Sequence, residues 1–218
     1  MPARSPSKNL VGVLLSGRGS NLAAILDRIA AGELDARVVL AIANEPLAPG
    51  LQAARDRGVP TLVVDHRKSP SREAHDNVMA AALEQAGARL ICLAGYMRLL
   101  SPGFVQRFAG RLMNIHPSLL PSFPGREAQR RAIEAGVKIS GCTVHFVDEH
   151  VDSGPIILQD AVPVLDDDTP QTLEARILDR EHVLYSRAIA LYFSVRLRVD
   201  GRRVRLIGGD PGRRRRRG

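Results

Sequence analysis

Apolar residues run along this chain in two rhythms. In the first half, short unbroken apolar runs stand at 10–15 ("LVGVLL"), 38–44 ("VVLAIAN"), 61–65 ("TLVVD") and 89–95 ("RLICLAG"). Between them lie stretches whose apolar positions recur every three or four residues: "NLAAILDRIAAG", "GLQAARDRG" and "SREAHDNVMAAALEQAG". A run with no polar face is a strand covered on both sides, and the periodic stretches are helices. Gly58 and Gly87 stop two of those helices. The spacing therefore predicts an α/β fold, a doubly wound and mostly parallel sheet with helices on both faces, over roughly residues 8–115. In such sheets ligands gather at the carboxyl ends of the strands.

The second half changes character. "EAQRRAIEAG" (127–136) has helical spacing, whereas "GCTVHFV" (141–147) alternates like a strand. A further strand is predicted at 155–165, where Pro163 argues for an edge position. The longest helical pattern opens with Thr169 as N-cap and Pro170 in the first turn. "RLRVDGRRVRLI" places Asp200-Gly201 between alternating runs, a hairpin signal. The C-terminal part is thus expected to add an edge or antiparallel strand and a long helix. No internal repeat or linker is visible. A single domain over 9–207 is expected, flanked by a disordered arm (1–8) and a disordered basic tail (208–218).

Composition narrows the class. At 218 residues and 44% hydrophobic, the chain can bury a full core, built mainly from aliphatic residues because aromatics are only 4%. No apolar run is long enough to span a bilayer, and the first ten residues lack a secretory apolar segment. Cys92 and Cys142 sit in apolar runs with no metal-ligand spacing, as expected of free thiols in a reducing cytoplasm. The net charge of +8 invites a nucleic-acid reading, but five arginines at 213–217 supply five of those charges and leave +3. The body of the protein is only mildly basic, so the expectation is a solvated tail and no specific nucleic-acid partner.

Two segments carry candidate chemistry. "LLSGRGSNLAAIL" is strand, glycine turn and helix. Free N–H groups of a helix's first turn, approached past Gly17 and Gly19, form a phosphate cradle, with Ser20 or Asn21 expected to cap the helix. A dinucleotide site would need a third glycine where Leu22 stands. A tight turn that binds nothing would explain the glycines equally well.

In "MNIHPSLLPSFPG" (113–125) Asn114 and His116 share one face of an extended segment, and Pro117, Pro121 and Pro124 stiffen the residues after the histidine. An amide donor and a protonated imidazole aimed at one point suit an oxygen gaining negative charge, as in acyl transfer. The alternative is an ordinary strand-end histidine. A carboxylate able to orient the ring favours the first reading, and Asp152, before "SGP", is the candidate; Asp148 and Glu149 look like solvated loop charges. His145 and His150 match no zinc spacing, and Ser118 lacks a nucleophile-elbow context, so no metal and no covalent intermediate are expected.

The motifs "SGRGSNL", "SREAHD", "LAGYMRLLSP", "NIHPSLLPSFPG", "GCTVHFVDEHVDSGPIILQ" and "REH" follow one another in an order that resembles the phosphoribosylglycinamide formyltransferase family. The resemblance runs from about residue 10 to residue 193. It implies 10-formyltetrahydrofolate as co-substrate, no metal, and glycinamide ribonucleotide as the acceptor. It divides the domain into a nucleotide-phosphate half (about 9–115) and a folate and catalytic half (about 90–195). Asn114 and His116 would stabilise the oxyanion, with His116 as proton donor. Asp152 would raise the imidazole's pKa. Gly19, Ser20 and Asn21 would hold the phosphate, and Glu181 would contact the ribonucleotide. Arg72, Met97, Arg98, Leu99, Leu100 and Asn114 would meet the folate.

Taken without the resemblance, Met97, Leu99 and Leu100 read as core, and Arg72 and Glu181 as helix-face charges. Arg18, and Arg126, Glu127 and Gln129 after "FPG", depart from the family pattern. A cytoplasmic monomer or homodimer is expected. A deformylase or transfer-RNA formyltransferase on the same scaffold is the alternative, and each would carry a further domain.

Overall fold

The structure, a computed structural model, describes residues 8–194 and 196–207. The expected arm, apart from residue 8, and the expected basic tail lie outside the described residues. Among the described residues, nine strands form one sheet. They are β1 (Leu10–Leu15), β2 (Arg37–Ala43), β3 (Thr61–Val63), β4 (Leu90–Leu93), β5 (Leu112–His116), β6 (Ile139–Phe146), β7 (Ile156–Pro163), β8 (Arg196–Asp200) and β9 (Arg203–Ile207). Their order across the sheet is β3-β2-β1-β4-β5-β6-β7-β9-β8. The first five are parallel, while β6 and β7 run antiparallel to their preceding neighbours.

Among the described residues six α-helices accompany them: α1 (Ser20–Ala30), α2 (Pro49–Asp56), α3 (Arg72–Gln85), α4 (Pro102–Arg107), α5 (Ala128–Glu134) and α6 (Pro170–Ser194). Helix α4 has no counterpart among the elements read from the sequence. It is short, and its apolar positions are too few to show a period. Ser101 caps it and Pro102 starts it. Thr169 caps α6, its hydroxyl accepting from the Thr172 amide at 3.2 Å.

The unbroken apolar strands are buried on both faces, as their lack of alternation predicts. On β1, Val11, Val13 and Leu15 enter a core shared with α1, α2 and α6; Leu14 enters a second core with Met79 and Leu83 of α3 and Phe104 and Phe108 at α4. Burial of this kind stabilises by about 25 cal/mol per Å² of apolar surface. Tyr185 of α6, fully buried, donates to the carbonyls of Leu93 and Met113 and so fixes α6 against β4 and β5.

The chain leaves β1 toward β2 on one side and reaches β4 and β5 on the other. The strand order therefore reverses between β1 and β4, the switch point at whose carboxyl end sheets of this kind form their ligand crevice. The glycine turn follows β1, and residues 94–101 follow β4, so both flank it. Pro163 ends β7 on a side that is largely open, because β9 meets β7 only at Ile156↔Arg203. The terminal hairpin turns at Gly201 and Arg202, one residue later than the Asp-Gly signal suggested, with Asp200 and Arg203 paired across it.

Candidate active site

Strand β5 brings the first two side chains together by alternation. Met113 and Ile115 pack into the core under α6, so Asn114 and His116 both turn to the opposite face. Across the sheet, Asn114 stands opposite His145 and His116 opposite Thr143 of β6. The β6–β7 loop returns Asp152 to the same place. Its φ of 50° is left-handed, a conformation that Asp tolerates better than most residues.

Asp152 sits between two imidazoles. One carboxylate oxygen lies 3.2 Å from His116 Nδ1, and the other lies 3.7 Å from His145 Nε2. Asp152 also accepts the amide N–H of Gly125 at 2.7 Å. Asn114 Nδ2 lies 3.2 Å from His145 Nε2 and 3.4 Å from Asp152 Oδ1. His145 Nδ1 donates to the Phe146 carbonyl, and its Nε2 faces both Asn114 and Asp152. The expected trio of Asn114, His116 and Asp152 thus converges. The fourth member, His145, enters the sequence reading only as a metal candidate set aside for want of a zinc spacing; its shared alternation phase with Thr143 is the signal that places it here.

The polar groups face the protein more than the sequence suggested. His116 Nε2 donates to the carbonyl of Phe123 at 2.9 Å, and Asn114 Nδ2 lies between His145 and Asp152. Burial holds the His116 pKa below the usual histidine value, outweighing the opposing pull of Asp152 and of the Phe123 carbonyl. Asp152 pulls this imidazole's pKa upward, the direction expected of it, but by less than desolvation lowers it. Burial would raise the Asp152 carboxyl, yet His145, His116 and the Gly125 amide together bring it below the ordinary value.

The proline-rich segment is braced from beneath. The hydroxyl of Thr143, fully buried, donates to the Ser118 carbonyl at 2.7 Å and accepts the Leu120 amide at 3.0 Å. Gln159 donates to both Thr143 Oγ1 and the Leu120 carbonyl. Ser118 Oγ donates to the Ser122 carbonyl at 2.6 Å, and the Leu120–Pro121 peptide is cis. Phe123 has φ 53°, which aims its carbonyl at His116.

The glycine turn differs from expectation in one respect. Gly19 itself is the N-cap of α1, at φ 71°, and neither Ser20 nor Asn21 caps by side chain. The reason is local packing. A Cβ at Gly19 would lie 2.6 Å from the Gly50 Cα, so the turn is pressed against α2, while Gly17 has open space around it. Asn21 instead donates to Glu181 Oε2 of α6 at 2.7 Å, and Asn21 Oδ1 is buried without a partner. Burial lifts the Glu181 carboxyl to about 7, the Asn21 bond opposing and Glu174 adding to the rise. Glu181 is buried, not a solvated helix-face charge. Arg18 pairs with Glu174, one side chain from the turn and one from α6.

The remaining candidates form a rim. In the segment 97–100, Met97 and Leu99 are 74% and 61% exposed, so they are not core; Leu100 packs against the second core. Arg72 begins α3, exposed, with Glu73 3.8 Å away, and it does not join the trio. Asp148 accepts from Ser153, and Glu149 accepts from Gln106, so both loop acids have protein partners. Among the described residues no group of three His, Cys, Asp or Glu side chains is placed to hold a metal. Nor is any described helix long and apolar enough to cross a membrane. Burial pushes both cysteine thiols up to about 12, which leaves them unreactive.

Residues 9–189 match the formyl transferase family. The chain is 51% identical over 189 residues to the trifunctional purine biosynthetic protein adenosine-3 of Drosophila melanogaster, covering 86% of this chain and 14% of that protein. It thus spans about a seventh of the length of that relative. It is 40% identical to the phosphoribosylglycinamide formyltransferase of Escherichia coli (strain K12), covering 88% of this chain and 94% of the relative. Among solved structures it superimposes on glycinamide ribonucleotide transformylase 1 of Symbiobacterium toebii with a TM-score of 0.89 at 52% identity, covering 91% and 93% of the two chains. With that likeness extending over both the sheet and the site, the chain belongs to the formyl transferase family and, within it, to the phosphoribosylglycinamide formyltransferases.

Proposed function

We propose that the protein transfers the formyl group of 10-formyltetrahydrofolate to the amine of glycinamide ribonucleotide, a step of purine biosynthesis. The observation that carries this reading is the convergence of Asn114, His116 and Asp152 beside the switch-point crevice, in a chain similar along its length to enzymes of that name. The amine attacks the formyl carbon and the carbonyl oxygen becomes an oxyanion. The carbon–N10 bond then breaks, and a proton lost by the amine ends on N10. Each stage needs donors at the oxygen and one group that moves a proton.

His116 fits the second task. Burial lowers its affinity for a proton and Asp152 opposes that, so the ring is suited both to give a proton and to take one. Negative charge growing on the substrate oxygen favours the imidazolium, which Asp152 then stabilises across 3.2 Å. The formyl oxygen would take the place of the Phe123 carbonyl on Nε2. Asn114, oriented by His145, would supply an N–H to the same oxygen. No side chain has to form a covalent bond.

The second substrate would meet the glycine turn. The first amides of α1 would receive its phosphate, and Glu181 with the unpartnered Asn21 Oδ1 offers acceptors for the ribose hydroxyls. The exposed apolar side chains of 97–100 suit one wall of a flat heterocycle, with Arg72 toward its acidic end. A cytoplasmic setting accords with the two free thiols.

The test is direct. The protein is mixed with glycinamide ribonucleotide and a 10-formyl folate, and release of the deformylated folate is followed by absorbance. Turnover that requires the ribonucleotide is the expected result. Turnover without it would make the protein a deformylase, and no turnover with either would sink the reading.

A further inference from the structure

The segment 97–100 presents two exposed apolar side chains, yet its backbone is tied at both ends. At the start, the amide of Met97 donates to Ser16 Oγ at 2.8 Å. The Ser16 hydroxyl hydrogen goes to Asn44 Oδ1 at 2.5 Å, so its lone pairs are turned toward Met97. Asn44 is buried and is itself held by His66. Ser16 also donates its own amide to the Gly95 carbonyl at 3.0 Å.

At the other end, the amide of Ser101 donates to Asp76 Oδ2 at 2.6 Å. Asp76 is 2% exposed, and its second oxygen faces His75 Nδ1 at 3.1 Å. His75 Nε2 in turn donates to the Val64 carbonyl at 2.9 Å. Neither anchor touches the Asn114–His116–Asp152 group, and the chemical step does not use them.

Ser16 is the first residue after β1, and Met97 lies just beyond β4. Their bond therefore spans the crevice where the strand order reverses. Ser16 also opens the glycine turn, so one hydroxyl joins the backbone of the two substrate regions. A surface that binds a rigid ligand gains affinity when it is ordered beforehand.

We propose that Ser16 is a positioning residue for the folate: with Asp76 at the far end, it fixes 97–100 in the shape that the heterocycle meets. This rests on the reading of 97–100 as a folate wall. Loss of one neutral hydrogen bond predicts about a five- to tenfold loss of folate affinity. Because the anchors lie outside the reacting group, turnover at saturating folate stays within about twofold.

Full-length protein carrying Ser16→Ala, Ser16→Thr or Asp76→Asn is compared with the parent. Three quantities are read: calorimetric affinity for a 10-formyl folate analogue, kcat and both KM values, and hydrogen exchange at the Met97 amide. Ser16→Ala is expected to speed exchange at Met97, weaken the folate and spare kcat. Ser16→Thr, which keeps the hydroxyl, restores binding. Asp76→Asn keeps an acceptor for Ser101 and binds as the parent does. Faster exchange at Met97 with unchanged folate affinity overturns the proposal, as does a Thr variant as weak as the Ala variant. Parent protein that binds no folate removes the reading beneath it, a different failure, visible before any variant is made.

Discussion

The side-chain amide of Asn21 donates to the carboxylate of Glu181 across 2.7 Å, joining the first turn of α1 to the middle of α6. Burial places that carboxyl near 7, well above an unfolded glutamate. Between about pH 4.5 and 7 the folded protein holds a proton that the unfolded chain has released, so this group's contribution to stability is full at low pH and falls as pH rises toward 7. Glu181→Gln should therefore raise the melting temperature more at pH 8 than at pH 5, by a free energy on the order of 3 kcal/mol at the upper end. If the ionised form accepts ribose hydroxyls, KM for the ribonucleotide climbs as pH drops below about 7 in the parent and is flat in the variant. A parent KM constant from pH 6 to 8 would remove Glu181 from binding.

His116 and Asp152 should behave as one unit. His116→Ala is expected to lower kcat by about 10²- to 10⁴-fold with little change in folate affinity, since a proton-transfer group acts mainly in the transition state. Asp152→Asn should lower it comparably, and the double variant should lose much less than the product of the two. Multiplicative losses would show that the 3.2 Å contact has no catalytic consequence.

Thr143→Val keeps the shape of a buried residue and removes a hydroxyl that serves Ser118, Leu120 and Gln159. Leaving these groups unsatisfied should cost about 1–3 kcal/mol in urea denaturation. Because Thr143 stands opposite His116, kcat should drop as well, and a stability loss with kcat unaltered would mean that the proline segment needs no brace.

Gly19→Ala meets two penalties. A left-handed residue with a side chain costs about 1–2 kcal/mol, and the added methyl would lie 2.6 Å from the Gly50 Cα. Gly17→Ala, with open space around it, should be nearly neutral for stability. Equal effects at the two positions, measured by thermal melting, would contradict the packing of the turn on α2.

The sequence made the sheet legible because β1, β2 and β4 carry no polar alternate to confuse with a half-exposed strand. Asn114 and His116 were legible for the opposite reason: in a five-residue strand a two-residue spacing fixes a common face. Backbone groups were not. Nothing in "PSFPG" announces that the Phe123 carbonyl meets His116, since that depends on a left-handed φ and on a brace built from β6 and β7. Side-chain capping by Ser20 or Asn21 failed as an expectation because the Gly19–Gly50 approach decides the geometry of the turn. The burial of Glu181 was equally hidden, because a carboxylate in a 25-residue helix looks solvated until its partner on α1 is known.

Among the described residues, Ile156↔Arg203 is the single pairing by which the β8–β9 hairpin continues the sheet. Most of β7 thus has no partner strand on that side, although Asp160 takes the Ala161 amide and Arg176 the Pro163 carbonyl, and a border without a partner strand is the kind that recruits strands from neighbouring molecules. Exposed Arg198, Arg203 and Arg205 lie on the hairpin that begins to cover it, and Pro163 closes β7. Like charges brought edge to edge repel, so this margin discourages fibre-like stacking at high concentration, and changing those arginines to threonine or valine would invite aggregation while leaving the chemistry at His116 untouched.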